Sequence, residues 1–136
     1  YFMDLGLRNA RINFRQYEKS HLMENLIYNE MRVRGFNVDV GAVPIVNVKD
    51  DGKRQRSTLE IDFVCNLGSR RYYIQSAYRM GTEEKVKQER ASLLKVDDSF
   101  KKIIVIGEEC PVTRDEQGIT TISIYDFLLN KNSLEL

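Results

Sequence analysis

The chain has 136 residues, of which 42% are hydrophobic, and its 21 basic and 20 acidic side chains nearly cancel. That length can bury one sizeable core and leaves no room for two ordinary domains. The balanced charge excludes a global field for nucleic acid or membrane, so any basic site must be local.

The first residues, Tyr1-Phe2-Met3-Asp4-Leu5-Gly6-Leu7, begin in the middle of an apolar pattern without an initiator methionine. They read as a piece of a longer polypeptide, with residues 1–15 a linking segment from a preceding domain and 1–136 a single domain. From about Gln16 to Arg34, Leu22, Met23, Leu26, Ile27, Met31 and Val33 recur at helical spacing, and Gly35 stops the helix. Glu24 lies in or beside that stripe, a carboxylate among apolar neighbours, with His21 one turn away as a packing or hydrogen-bonding residue.

Residues 36–48 are rich in valine and isoleucine, and Pro44 predicts a bulge or an edge position. Asp50-Asp51-Gly52 marks a turn, followed by the basic cluster Lys53-Arg54-Gln55-Arg56 at the turn or the mouth of the next strand. Strands over Thr58–Asn66 and Arg71–Tyr78 form a central hairpin around Gly68. Strict alternation puts Leu59, Ile61, Phe63 and Cys65 on one face and Glu60, Asp62 and Val64 on the other, with Gln75 and Ala77 sharing a face of the second strand. Tyr72, Tyr73 and Tyr78 are first of all good strand formers.

Thr82 caps a second helix with Glu83 and Glu84 in its first turn, and Val86, Arg90, Leu93, Leu94 and Val96 carry it. Lys101-Lys102-Ile103-Ile104-Val105-Ile106 is a nearly continuous apolar strand, as in a sheet buried on both faces. A further strand over Thr120–Ile124 and a short helix from Tyr125 complete the order αβββαββα: an α/β (α+β) chain with a mixed sheet, helices on both faces and a crossover between the third and fourth strands. Cys65 and Cys110 are too far apart in sequence for a zinc knuckle and read as free thiols of a reducing cytosol. No apolar run reaches the roughly 20 residues of a membrane span, so no membrane partner is expected and the expected location is cytoplasmic.

This order, with an acid on the first helix and another on the second strand, resembles the restriction-endonuclease-like fold of the PD-(D/E)xK superfamily. Four phrases, Tyr1-Phe2-Met3-Asp4-Leu5-Gly6-Leu7-Arg8-Asn9-Ala10, His21-Leu22-Met23-Glu24-Asn25, Glu60-Ile61-Asp62-Phe63-Val64 and Tyr73-Ile74-Gln75, resemble more closely the uncharacterised C-terminal domain that follows the AAA+ core of many prokaryotic ATPases. The resemblance implies a remnant catalytic set of Glu24, Asp62 and Gln75, in which Gln75 replaces the acid and Ala77 the lysine of a Glu-x-Lys step. It implies metal contacts at Asp62, Glu60 and Gln75 with Mg²⁺ as the possible cofactor. Apart from the resemblance, the local basic residues Lys53, Arg54, Arg56 and Arg79 are where a nucleic-acid contact is expected, the 53–56 cluster being first of all a solvated hairpin tip. Hard oxygen ligands and a cation are what phosphodiester cleavage needs, and Ala77 supplies neither. The expected function is therefore a catalytically degenerate accessory domain that binds DNA or its own ATPase core. A nuclease with a displaced cation, from Arg79, Lys85, Lys87 or Arg90, and a protein-interaction module remain the alternatives. No Gly-rich phosphate loop lies in the chain, so ATP hydrolysis would belong to a part outside it.

Overall fold

A computed structural model describes residues 1, 3–11, 18–48 and 52–136. In chain order the elements are α1 (Leu5–Arg11), α2 (Lys19–Val33), β1 (Asn37–Val48), β2 (Arg54–Leu67), β3 (Arg70–Ala77), α3 (Glu83–Leu94), β4 (Lys101–Ile106), β5 (Thr113–Arg114), β6 (Ile119–Ser123) and α4 (Ile124–Leu129), with a 3₁₀ turn at Ser133–Glu135. The expected αβββαββα order is present, with α1, β5 and the 3₁₀ turn added. The expected start of the long helix at Gln16 and the turn residues Asp50 and Asp51 lie outside the described residues.

One six-stranded mixed sheet runs β1-β2-β3-β4-β6-β5. β1, β2 and β3 are antiparallel neighbours, whereas β3 and β4 are parallel, because α3 carries the chain back between them. β4 and β6 are also parallel. The apolar run Ile103–Ile106 lies in the interior, and its side chains alternate between two cores. Ile103 and Val105 join Met23, Ile27, Met31, Phe63, Cys65, Ile74 and Phe127 under α2 and α4. Ile104 and Ile106 join Ile61, Tyr73, Ala77 and Leu93 under α3. The helix-on-both-faces arrangement of the restriction-endonuclease-like class is thus formed, with both sheet faces dry at the centre.

Local chemistry sets the ends of the helices. Gly35 takes φ of 90° past the end of α2, and its N–H and that of Phe36 donate to the carbonyls of Arg32 and Met31. The Thr82 hydroxyl accepts from the Lys85 N–H at 3.2 Å, as the capping pattern predicts. Pro44 sits on β1, the edge strand, where no ladder needs its missing N–H.

Two expectations about faces are corrected. In α2 only Met23, Ile27 and Met31 of the apolar stripe are buried, while Leu26 and Val33 are exposed. In β2 Ile61 packs under α3 while Phe63 and Cys65 pack under α2, so the four apolar residues do not share one face. A bulge is the cause: between the pairs Asp39↔Val64 and Gly41↔Ile61, β1 advances two residues while β2 advances three.

Candidate functional site

The bulge and the hairpin end together create the site. The β2–β3 ladder runs from Leu67↔Arg70 to Phe63↔Ile74 and then stops. Beyond it, side chains take over the bridging. The Ser76 N–H donates to Asp62 Oδ2 at 2.7 Å, and the Asp62 N–H donates to Gln75 Oε1 at 3.4 Å. Each strand thereby satisfies a backbone donor that the opened ladder has released. Gly41 faces the bulge from β1, and a Cβ there would meet Val64 Cγ2 at 2.8 Å and Ile61 Cβ at 3.0 Å.

From the other side α3 adds three polar residues on one face, at positions 85, 89 and 92. Gln75 Nε2 donates to Glu89 Oε2 at 3.2 Å, and the Ser92 hydroxyl donates to Gln75 Oε1 at 3.4 Å. Lys85 Nζ stands 2.5 Å from Glu89 Oε1. Gln75 and Glu89 are each only 9% exposed and Ser92 4%, so three buried polar residues link the half-buried Asp62 to the exposed Lys85. Ala77, where the resemblance would want a lysine, is sealed in the apolar cluster with Leu93, Ile104 and Ile106.

Charge at the centre is crowded. Burial pushes the Asp62 carboxyl up to about 6, opposed by the Ser76 N–H, raised further by Glu24 and Glu89, and lowered by Gln75. The Tyr1 hydroxyl is raised by burial and then by Glu24 and Asp62, which places it beside the same two acids. Its ring stacks on Tyr28 with centroids 4.2 Å apart. Glu24 thus lies near enough for its charge to act on Asp62.

Glu60 is not. It is exposed on β2 opposite Ala42, and it is absent from the charges that act on Asp62. The bulge breaks the alternation that would set the two acids side by side. His21 lies on the helix surface between Glu18 at 3.0 Å and Glu24 at 3.5 Å. Arg79 pairs with Glu108 at 3.2 Å, and Arg90 pairs with Asp115 and reaches Gln117 at 3.0 Å, so neither points its charge into the site. Lys87 lines a groove of 870 Å³ on the outer side of α3 with Met80, Val86 and Leu94. Of the four displaced cations weighed from sequence, Lys85 alone joins the polar chain. Lys53, Arg54 and Arg56 lie at the far end of the β1–β2 pairing, exposed.

Tyr72 and Tyr73 are buried, with hydroxyls on Glu135 and Asp98 at 2.6 Å each, which accounts for them structurally. Cys65 is a buried free thiol pushed up to about 12 by burial.

The donor set does not fit Mg²⁺ as it stands. Asp62 Oδ2 and Gln75 Oε1 already accept protein hydrogens, and Glu89 holds Lys85. Among the described residues no three His, Cys, Asp or Glu side chains converge to hold a metal ion. Glu89 and Ser92 escaped the sequence reading, which followed the apolar residues of α3. The signal was the four-residue step from Lys85 to Glu89 and the three-residue step from Glu89 to Ser92, in line with Leu93.

An uncharacterised protein of Haemophilus influenzae is 30% identical to this chain over 129 residues. The match covers 95% of the chain and 28% of that protein, so the chain spans less than a third of its relative's length. No protein-family model and no solved structure matches.

Proposed function

We propose that this chain is a catalytically silent accessory domain on a nuclease-like scaffold, part of a larger AAA+ ATPase, and that it acts by binding its own ATPase core or DNA rather than by cleaving. One observation carries the reading: both oxygen and nitrogen of the Gln75 amide are used to staple Asp62 to Glu89, and the next position on that face, Ala77, is closed off in the core. A neutral amide and a methyl group leave no strand-borne cation to orient an attacking water. The much longer relative agrees with a domain that works as part of a larger protein.

The test is calorimetry with Mg²⁺ and with Mn²⁺, using Asp62→Ala as control, alongside incubation with single-stranded, duplex and branched DNA. The expected result is no saturable metal binding and no cleavage. Metal-dependent cleavage lost in Asp62→Ala would overturn the reading. Association that is insensitive to salt would favour a protein partner over DNA.

A second reading, a metal-dependent nuclease with a displaced cation, is favoured by Lys85, whose ammonium reaches Glu89 beside Gln75. Under it Lys85→Ala abolishes cleavage while leaving the fold intact. Under the first reading there is no cleavage to abolish.

A further inference from the structure

The pairing of β1 with β2 outruns the rest of the sheet. β3 covers β2 only from Phe63 to Leu67, so residues 42–48 and 54–60 extend as a two-stranded arm. Its two faces differ. On one, Gly41, Val43, Ile45, Ser57 and Leu59 are partly buried, and the Asn47 amide donates to the Ser57 hydroxyl at 3.4 Å. On the other, the pairs Ala42↔Glu60, Pro44↔Thr58, Val46↔Arg56 and Val48↔Arg54 are exposed throughout, with Val46 58% and Val48 68% accessible. An apolar row on β1 therefore lies beside a row on β2 that starts with an acid and ends with two arginines.

Two kinds of partner fit this face poorly. Strand addition at the open edge of β1 is blunted by Pro44, which lacks an N–H at the middle of that edge. A phosphate backbone would meet the cations Arg54 and Arg56 at one end of this face but the acid Glu60 at the other.

The order of the charges fits a second copy of the chain instead. A two-fold axis crossing the strands at the Pro44–Thr58 pair lays each β2 antiparallel over its copy. Thr58 then meets Thr58, Val46 meets Ala42, and Arg56 meets Glu60 of the other copy. Within one chain Arg56 and Glu60 are four residues apart on a strand, about 13 Å, too far to pair. Among the described residues neither makes an ion pair. A formal net charge of +1 leaves little long-range repulsion between copies.

We infer that the exposed face of the β1–β2 arm is a two-fold self-association surface in which Arg56 of each copy pairs with Glu60 of the other. The inference is independent of the proposed function, because it uses none of the Asp62 site. The patch is one short ribbon face, well below a standard interface, so the dimer is a weak one that forms at high protein concentration.

Sedimentation equilibrium of the chain from micromolar to millimolar concentration tests it. The wild type is expected to show a monomer–dimer equilibrium. Arg56→Glu and Glu60→Arg each set like charges opposite one another and weaken the dimer about tenfold or more, roughly 1.4 kcal/mol. The double exchange restores it, and so does mixing the two single variants, since each then supplies the sign the other lacks. Both positions are exposed, and far-UV circular dichroism checks that the fold is kept. A monomer at every concentration, or single variants that neither the double exchange nor mixing rescues, overturns the inference. Fluorescence anisotropy with duplex DNA completes the test. Binding that Arg56→Glu weakens, Glu60→Arg strengthens and the double exchange leaves unrestored would assign the face to nucleic acid, and overturn it equally.

Discussion

Asp62 holds its charge against its surroundings, and stability should record that. A carboxyl raised from 3.8 to about 6 binds its proton more tightly in the folded chain than in the unfolded one. The stability it contributes is therefore complete below about pH 4 and is lost as the pH rises through 6. The group is half-buried, so solvent screening leaves roughly 1–2 kcal/mol of this effect. Asp62→Asn keeps an oxygen for the Ser76 N–H without the charge. It should raise the urea midpoint at pH 7 by an amount worth about 1 kcal/mol and flatten the dependence between pH 4 and 6. A variant less stable than wild type at pH 7 would mean that the ionised carboxylate is favourable there. Gln75→Glu is the companion change. It removes the donor to Glu89 and adds a third carboxylate between Asp62 and Glu89. The expected cost is about 1–3 kcal/mol at pH 7, smaller at pH 5, read from the same denaturation curves.

At the scale of elements, the site depends on one extra residue in β2. Gly41 is the position that permits it, because a Cβ at 2.8 Å from Val64 and 3.0 Å from Ile61 would press directly on the bulged strand. Gly41→Ala should cost about 1–3 kcal/mol by overpacking, and hydrogen exchange should show faster exchange at the Asp62 and Ser76 amides than at β4. Equal protection at both places would mean that the strand shifts without opening the ladder. The same bulge marks the limit of what the sequence discloses. Glu24, Asp62 and Gln75 are legible because each sits in a recognisable phrase; Asp62 and Gln75 share a hydrogen bond, and the Glu24 charge acts on Asp62. The separation of Glu60 from Asp62 was not legible, because alternation holds only for an unbroken strand and nothing in Leu59-Glu60-Ile61-Asp62-Phe63 announces the bulge. Glu89 was hidden for the opposite reason. Polar residues in a helix ordinarily mark its wet face, as Glu83, Glu84, Lys87 and Gln88 do here, whereas Glu89 and Ser92 face inward, because the Gln75 amide waits there for partners.

Over the whole molecule the layer order was readable, since Pro44, Gly35, Thr82 and the Ile103–Ile106 run each act through local chemistry. What local chemistry could not disclose is how α2 is tied to the end of the chain. Arg34, one residue past α2, donates from Nε to Glu30 at 2.8 Å, from Nη1 to the Ser133 hydroxyl at 2.8 Å, and from Nη2 to the Phe127 carbonyl at 2.6 Å and that of Asn130 at 3.4 Å. Its guanidinium also lies 5.1 Å from the centre of the Phe127 ring. A guanidinium with five fixed donors can serve the last carbonyls of α4 and the 3₁₀ turn together, which an ammonium cannot. The contacts join residues more than ninety positions apart, so no window of sequence contains them. Arg34→Ala should lower stability by about 2–4 kcal/mol, because it removes the charge-assisted bonds to the Phe127 and Asn130 carbonyls and to the Ser133 hydroxyl, leaving those carbonyls only their bonds from Ser133. Arg34→Lys should recover less than half of that loss. In hydrogen exchange both variants should first lose protection over residues 124–135, with β3 and β4 unaffected until global unfolding. Loss spread evenly over the sheet would instead make Arg34 a general contributor to the core rather than a clasp between α2 and the C-terminal segment.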